Sequence, residues 1–147
     1  MGQQQLLLLV LGIVVVGLAV VVGIQAFGEN NTKSNTDART ADAVRVASDA
    51  QAWRLKPTTY GGGGGSSFSG ITLEQLGYAT EATTTGTCPM GYYSNVNGCI
   101  VLVEVSGGSQ LAVNSLPPRG TANPMLVLTM VSATGVTTET MPWTQPY

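Results

Sequence analysis

The hydrophobic pattern of the chain changes sharply near residue 28. From Leu6 to Phe27 the sequence is apolar on every side, with no charged residue and one polar side chain, Gln25. As a helix this segment spans roughly 33 Å at about 1.5 Å per residue, close to the hydrocarbon thickness of a bilayer. A helix without a polar face has to be surrounded by lipid or by other helices. The pattern therefore predicts a hydrophobic membrane or filament-core helix over residues 1–28.

The chain becomes polar after this segment, and a second helix is expected further on. Gly28–Asn35 contains one Gly and three Asn, which are poor in helix interiors, and predicts a break. Beyond the break, apolar residues recur on one face at helical spacing: Ala43, Val46, Ala47, Ala50 and Trp53. Pro57 ends the pattern. We predict an amphipathic helix over residues 35–56.

The remainder reads as a loop followed by short strands. Five glycines and two serines at residues 61–67 predict a flexible surface loop. Four apolar or alternating runs separated by turn sequences follow: Ile100–Val105, Gln110–Asn114, Met125–Val131 and Val136–Met141. These runs predict an antiparallel sheet over about residues 99–141. Met125–Val131 is expected to be a central strand, because it is apolar on both faces.

These elements define an α+β fold class. A long N-terminal hydrophobic α-helix is followed by a second amphipathic helix that packs on a small antiparallel β-sheet. Residues 1–28 form the hydrophobic helix and residues 29–147 a soluble head. The head ends in an aromatic tail, in which Trp143 either covers the edge of its own sheet or docks on a neighbouring molecule.

Composition argues against several classes of protein. The chain has 147 residues, a net charge of −2 and only 10% charged residues, without the basic patch of a nucleic-acid binder. It contains no histidine, the commonest general base and metal ligand. No motif for a nucleophile or for paired catalytic carboxylates is evident. We expect no enzymatic activity, no cofactor, no metal and no small-molecule substrate.

Two aspartates on the predicted second helix offer a remote alternative. Asp42 and Asp49 lie two turns apart, which is too far to share a metal ion without other ligands. We interpret them as part of a solvated helix face, with a carboxylate metal site as the alternative.

The chain contains two cysteines, Cys88 and Cys99. In a head that follows a membrane helix, an even pair indicates an oxidising compartment and a disulfide. The alternative is a pair of free buried thiols. Closing so short a loop contributes about 3 kcal/mol, depending on how the unfolded chain is treated.

The N-terminal flank gives a weak signal for orientation. Residues 1–5 contain no Lys or Arg, unlike the basic region of a secretory signal, and no small-residue cleavage site follows the apolar segment. We expect this segment to be retained. Lys33 and Arg39 on the other side favour an inside head, whereas a disulfide favours an outside head. The disulfide argument is the stronger, because so few basic residues carry little topological information.

Taken together, the apolar helix Leu6–Phe27, the amphipathic continuation Asp37–Leu55, the small sheet and the Cys88–Cys99 loop resemble the type IV pilin-like superfamily. Gln5 differs from the glutamate that this family carries near its mature N-terminus. The resemblance implies a structural subunit of an extracellular pilus-like filament. Such a subunit is anchored in the inner membrane before assembly and then polymerises with copies of itself.

The physical case for self-assembly does not depend on that resemblance. A helix that is apolar all round can leave the membrane only if identical helices bury it. The predicted assembly residues are Leu6, Leu9, Ile13, Val16, Val20, Ile24 and Phe27. Two alternatives stay open: a single-pass membrane-anchored extracytoplasmic binding or accessory domain, and an archaeal-type pilin or flagellin-like subunit.

Overall fold

A computed structural model of the chain describes residues 2–82, 88–117 and 125–142. It has an α+β fold with one long N-terminal helix and a five-stranded antiparallel sheet. In chain order the elements are helix α1 (Gly2–Leu55) and strands β1 (Tyr93–Asn95), β2 (Gly98–Val105), β3 (Gln110–Leu116), β4 (Met125–Val131) and β5 (Val136–Pro142). The prediction for Trp143 lies outside the described residues.

The N-terminal part of the chain forms one continuous helix. Gly28–Asn35 is helical, so the predicted break and the predicted separate second helix are wrong. Adding a residue to an existing helix is far easier than starting a new one, and strongly helical segments on both sides carry the helix through weak helix formers. Within this stretch the hydroxyl of Thr32 donates to the carbonyl oxygen of Gly28, four residues earlier, at 3.1 Å.

Contacts divide the chain into two units, Met1–Ser34 and Asn35–Tyr147. The second unit contains the sheet, whose strands follow one another in space as they do in sequence, β1-β2-β3-β4-β5. Strand β4 is paired on both sides, in agreement with the prediction of a central strand. Strand β1 was missed, because it lies in the segment interpreted as a loop between the cysteines.

The C-terminal part of α1 packs on one face of this sheet. The helix contributes the residues predicted from its spacing, of which Ala43, Ala47 and Ala50 are fully buried. The sheet and the loop after the helix supply the other core residues: Phe68, Ile71, Leu73, Ile100, Leu111, Val113, Val127 and Val131. Each large side chain buried in this core contributes roughly 1.5–3 kcal/mol.

The five glycines after the helix form a hydrogen-bonded cap rather than the flexible loop expected. The backbone N–H of Gly63 donates to the carbonyl of Trp53 at 3.2 Å, and that of Gly65 to the carbonyl of Arg54 at 2.7 Å. These bonds satisfy carbonyls that the end of a helix leaves without partners. A Cβ atom at Gly63 would lie 2.1 Å from the carbonyl oxygen of Ser67, so this close wrapping requires glycine.

We therefore expect Gly63→Ala to destabilise the head. The added methyl group meets backbone atoms that cannot move aside, which costs on the order of 1–3 kcal/mol. Gly135→Ala is the matched control, since no atom lies within 4 Å of a Cβ built there. Thermal unfolding of the full chain in detergent, followed by circular dichroism, compares the two. Equal midpoints for both variants would show that the cap contributes nothing.

Candidate functional site

The outstanding surface of this molecule is the apolar segment of α1 from Leu6 to Phe27, which we call the apolar helix segment. Its large side chains are all exposed, with exposed fractions between 52% at Val14 and 77% at Phe27. The first charged residue of the chain is Glu29. Soluble monomeric proteins rarely expose a continuous apolar surface of this extent, and such surfaces mark contacts with membranes or other proteins.

The predicted assembly residues all lie on this surface. Each of them is more than half exposed: Leu6, Leu9, Ile13, Val16, Val20, Ile24 and Phe27. Neighbouring apolar side chains on the other sides of the helix are as exposed, for example Leu7 and Val22. The structure therefore defines a whole cylinder of apolar surface, of which the predicted residues form one side.

The free energy associated with this surface is large. Sixteen large apolar side chains between Leu6 and Phe27 are exposed. Burying each contributes roughly 1.5–3 kcal/mol, so covering the whole segment contributes on the order of 30 kcal/mol. A gain of that size far exceeds the stability of a typical domain. The apolar helix segment is accordingly stable only when something covers it.

The length and composition of the segment suit a lipid bilayer. Its most apolar 18-residue window has a mean hydropathy of 3.2, and none of that window is buried within the chain. By length and composition the helix is able to cross a membrane, a property that membrane anchors share with signal sequences. A Cβ atom added at Gly12, Gly17 or Gly23 would have no atom within 4 Å, so none of these glycines serves a close contact inside the chain.

In the head, Arg39 joins the helix to the sheet. Its side chain is 2% exposed, and burial lowers the pKa of the guanidinium below its ordinary value. One terminal nitrogen donates to the carbonyl oxygen of Met125 at 2.5 Å and, more weakly, to that of Ser115 at 3.4 Å. Its Nε donates to the side-chain oxygen of Asn35 at 3.0 Å. These neutral oxygens hold a buried cation at the place where β3 ends and β4 begins.

Asp42 fixes the hairpin between β1 and β2 to the same helix. One oxygen of its carboxylate accepts hydrogen bonds from the side-chain amides of Asn95 and Asn97, both at 2.8 Å. Asn35 donates to the backbone carbonyl oxygen of Asn97 at 3.3 Å. The carboxylate considered earlier as a possible metal ligand is thus used to bind two amide groups.

Asp49, the other aspartate, accepts a hydrogen bond from the hydroxyl of Tyr78 at 2.5 Å. Burial raises the pKa of Tyr78 to about 12, with further contributions from this hydrogen bond and from the charge of Asp49. The ring of Tyr78 also packs against that of Tyr93, with ring centres 5.0 Å apart. In the part of the chain that the structure describes, no three Asp, Glu, His or Cys side chains lie close enough together to hold a metal ion.

The pKa of Tyr78 predicts a specific loss of stability at alkaline pH. Because the folded-state pKa is raised from 10.0 to about 12, the neutral phenol stabilises the fold fully below about pH 10, and this contribution is lost as the pH rises through 12. We expect Tyr78→Phe to lower the free energy of unfolding at pH 7 by about 1 kcal/mol. The difference from the unmodified chain should shrink between pH 10 and pH 12.

Urea unfolding at a series of pH values measures this difference. Tyr60→Phe is the control, because the side chain of Tyr60 is 73% exposed. A constant difference between Tyr78→Phe and the unmodified chain over the whole alkaline range would rule out the hydrogen bond to Asp49 as the cause.

The two cysteines are joined in a disulfide, with Cα atoms 5.6 Å apart. Both are 2% exposed, which places the bond inside the head rather than on its surface. Cys99 lies in β2, so the disulfide ties the segment that precedes β1 to the second strand of the sheet.

Besides strand β1, sequence reasoning missed two features of the head. Arg39 was treated as a charge near the membrane, although it lies four residues before Ala43 and seven before Val46, on the stripe that faces the sheet. The glycines at residues 61–65 were interpreted as part of a flexible surface loop, although they follow a helix end, where glycine is the preferred residue.

These features define the class of protein to which the chain belongs on physical grounds: an α+β head on a long helix with an uncovered apolar segment. Comparison with known proteins finds no matching family model, no matching curated protein and no matching solved structure. The function of the chain therefore has to be inferred from its own residues and contacts.

Proposed function

We propose that the chain is a structural subunit of an extracellular pilus-like filament, which polymerises by packing of the apolar helix segments. The observation that carries the proposal is the exposure of every large apolar side chain in that segment, together with its lack of any polar side. Lipid covers such a helix before assembly. Identical helices, bundled with their heads facing water, cover it afterwards.

The head supports an extracytoplasmic location. A buried disulfide such as Cys88–Cys99 forms and persists in an oxidising compartment. The head also has its own core, built from α1, the sheet and the loop after the helix. A head of this kind stays folded while the apolar helix segment exchanges lipid for protein.

The second candidate function is a membrane-anchored extracytoplasmic binding or accessory domain, since it needs the same helix and the same disulfide. An archaeal-type pilin or flagellin-like subunit is a variant of the first proposal, with the same use of the helix. The deciding difference between the first two is whether the apolar helix segment is covered by protein or by lipid.

Negative-stain electron microscopy of material sheared from cells into detergent-free buffer tests the proposal. The chain is identified in that material by mass spectrometry. Thin, uniform fibres that contain this chain support the filament. If the chain stays entirely in the membrane fraction and dissolves only in detergent, the filament is ruled out and the anchored domain takes its place.

A further inference from the structure

The tip of the β1–β2 hairpin carries a chemically labile pair of residues. Strands β1 and β2 are joined by a two-residue turn, with Asn95 paired to Gly98. Within that turn Asn97 directly precedes Gly98. An asparagine followed by glycine is the dipeptide most prone to spontaneous deamidation, because glycine leaves the attacking backbone nitrogen unhindered.

The fold itself requires the glycine of this pair. A Cβ atom at Gly98 would lie 2.2 Å from the carbonyl oxygen of Leu116 and 3.1 Å from Cδ of Arg39. The neighbouring strand and the buried arginine therefore exclude any larger residue. A bulkier residue that would slow the reaction cannot be placed at this position without moving β3.

The asparagine of the pair also has a structural task. Its side-chain amide donates to the carboxylate of Asp42 at 2.8 Å, and its backbone carbonyl accepts from Asn35 at 3.3 Å. The backbone N–H of Gly98, the group that would attack, donates instead to the side-chain oxygen of Asn95 at 2.9 Å. Both reacting groups are thus held in other hydrogen bonds while the hairpin is docked on the helix.

We propose that Asn97 is a self-modifying deamidation site, which the docked hairpin suppresses and whose conversion releases the hairpin from the helix. The inference concerns the head alone and does not depend on the filament. Asn97 then acts as a latch, a residue that holds the hairpin on the helix until it is converted. It can release the hairpin only once, because the reaction is irreversible.

The reaction needs only water. The backbone nitrogen of Gly98 loses its proton and forms a bond to the side-chain carbonyl carbon of Asn97. The bond from that carbon to the amide nitrogen breaks, and this nitrogen takes up a proton in place of the one lost from Gly98 and leaves as ammonia. Water then opens the resulting five-membered succinimide to an aspartate or an isoaspartate.

The product no longer fits the contact with Asp42. An amide donor is replaced by a carboxylate, which has no N–H to offer and carries the same charge as its former partner. Two carboxylates at hydrogen-bond distance repel each other unless one binds a proton. Asn95 alone then remains to bind Asp42 from the hairpin.

Peptide mapping by mass spectrometry of the full chain in detergent, incubated with and without denaturant, tests the suppression. We expect conversion at Asn97 to be at least about tenfold faster in denaturant, the factor that loss of one hydrogen bond to a charged group implies. Equal rates in the two conditions, or no conversion in denaturant, would overturn the proposal.

A variant then separates local release from general unfolding. Asp42→Ala should accelerate conversion at Asn97 under native conditions and leave Asn114, inside β3, unchanged as an internal reference. Equal acceleration at both asparagines would mean that the variant merely unfolds the head. In that case hydrogen exchange of Asn97→Asp provides the second measurement of whether the hairpin is released.

Hydrogen exchange of Asn97→Asp, compared with Asn97→Gln, tests the release directly. Glutamine keeps an amide donor, but its longer side chain does not form the five-membered ring with the next backbone nitrogen. The hairpin of Asn97→Gln should therefore exchange as in the unmodified chain. We expect faster exchange over residues 93–100 in Asn97→Asp, with β3 and β4 unaffected. Unchanged exchange in that hairpin would show that Asn97 is not a latch.

Discussion

A single carboxylate in the middle of the apolar helix segment is expected to abolish assembly of the proposed filament. In Val16→Asp the new charge replaces a side chain that is 63% exposed in the single chain and that a bundle would bury. Placing Asp at the centre of an apolar span costs about 2.5–3.5 kcal/mol. A cost of that size corresponds to a factor on the order of 100 in an equilibrium constant, and it opposes membrane insertion before assembly as well as burial in the bundle.

The measurement is the amount of chain that sediments as fibres from detergent-free buffer, with Val16→Leu as the matched control. Leucine keeps the surface apolar and should form fibres as the unmodified chain does. The disulfide and the circular dichroism spectrum confirm that the head is folded in both variants. Fibres from Val16→Asp in normal yield would contradict burial of this helix in a polymer.

The second large effect is expected at Arg39. In Arg39→Ala the carbonyl oxygens of Ser115 and Met125 lose a donor whose own side chain is 2% exposed. Removing one side of a buried polar contact leaves the other side without a partner, and we expect a loss on the order of 3 kcal/mol of unfolding free energy. The loss should be visible as a lower midpoint in urea unfolding of the full chain in detergent.

The control is Lys33→Ala, which removes a positive charge from an exposed position on the same helix. It should change stability by no more than about 0.5 kcal/mol. If Arg39→Ala behaves like Lys33→Ala, the hydrogen bonds of Arg39 do not contribute to stability. Arg39→Lys is expected to fall between Arg39→Ala and Lys33→Ala. A single ammonium group cannot replace both the terminal nitrogen that contacts the two carbonyls and the Nε that donates to Asn35.

Local patterns were sufficient to predict most of the strands. Met125–Val131 was predicted with the bounds that the structure gives, and Val136–Met141 lies one residue short of the end of β5. Both have the apolar or alternating pattern of a strand, and a turn sequence separates them. The face of the helix that packs on the sheet was also predicted correctly, since Ala43 and Trp53 recur at helical spacing and are buried.

The features that were missed depend on parts of the chain that are distant in sequence. Arg39 is buried because carbonyls 76 and 86 residues away receive its hydrogen bonds. Strand β1 is only three residues long and exists because β2 offers it a pairing partner. The opposite error occurred at Gly28–Asn35, where weak local propensity was taken as a break although the flanking helix extends through it.

The even distribution of apolar side chains around the helix has a geometric consequence. Every side of the segment from Leu6 to Phe27 is apolar. Rotating the segment about its own axis therefore changes little in how well it packs against a neighbouring helix. A helix of this kind favours association, but it hardly determines the angle by which one subunit is rotated relative to the next. The symmetry of any assembly then depends on contacts between heads. Substitutions in the head should alter the rotation and the axial distance between neighbouring subunits. Substitutions in the helix should decide only whether subunits associate.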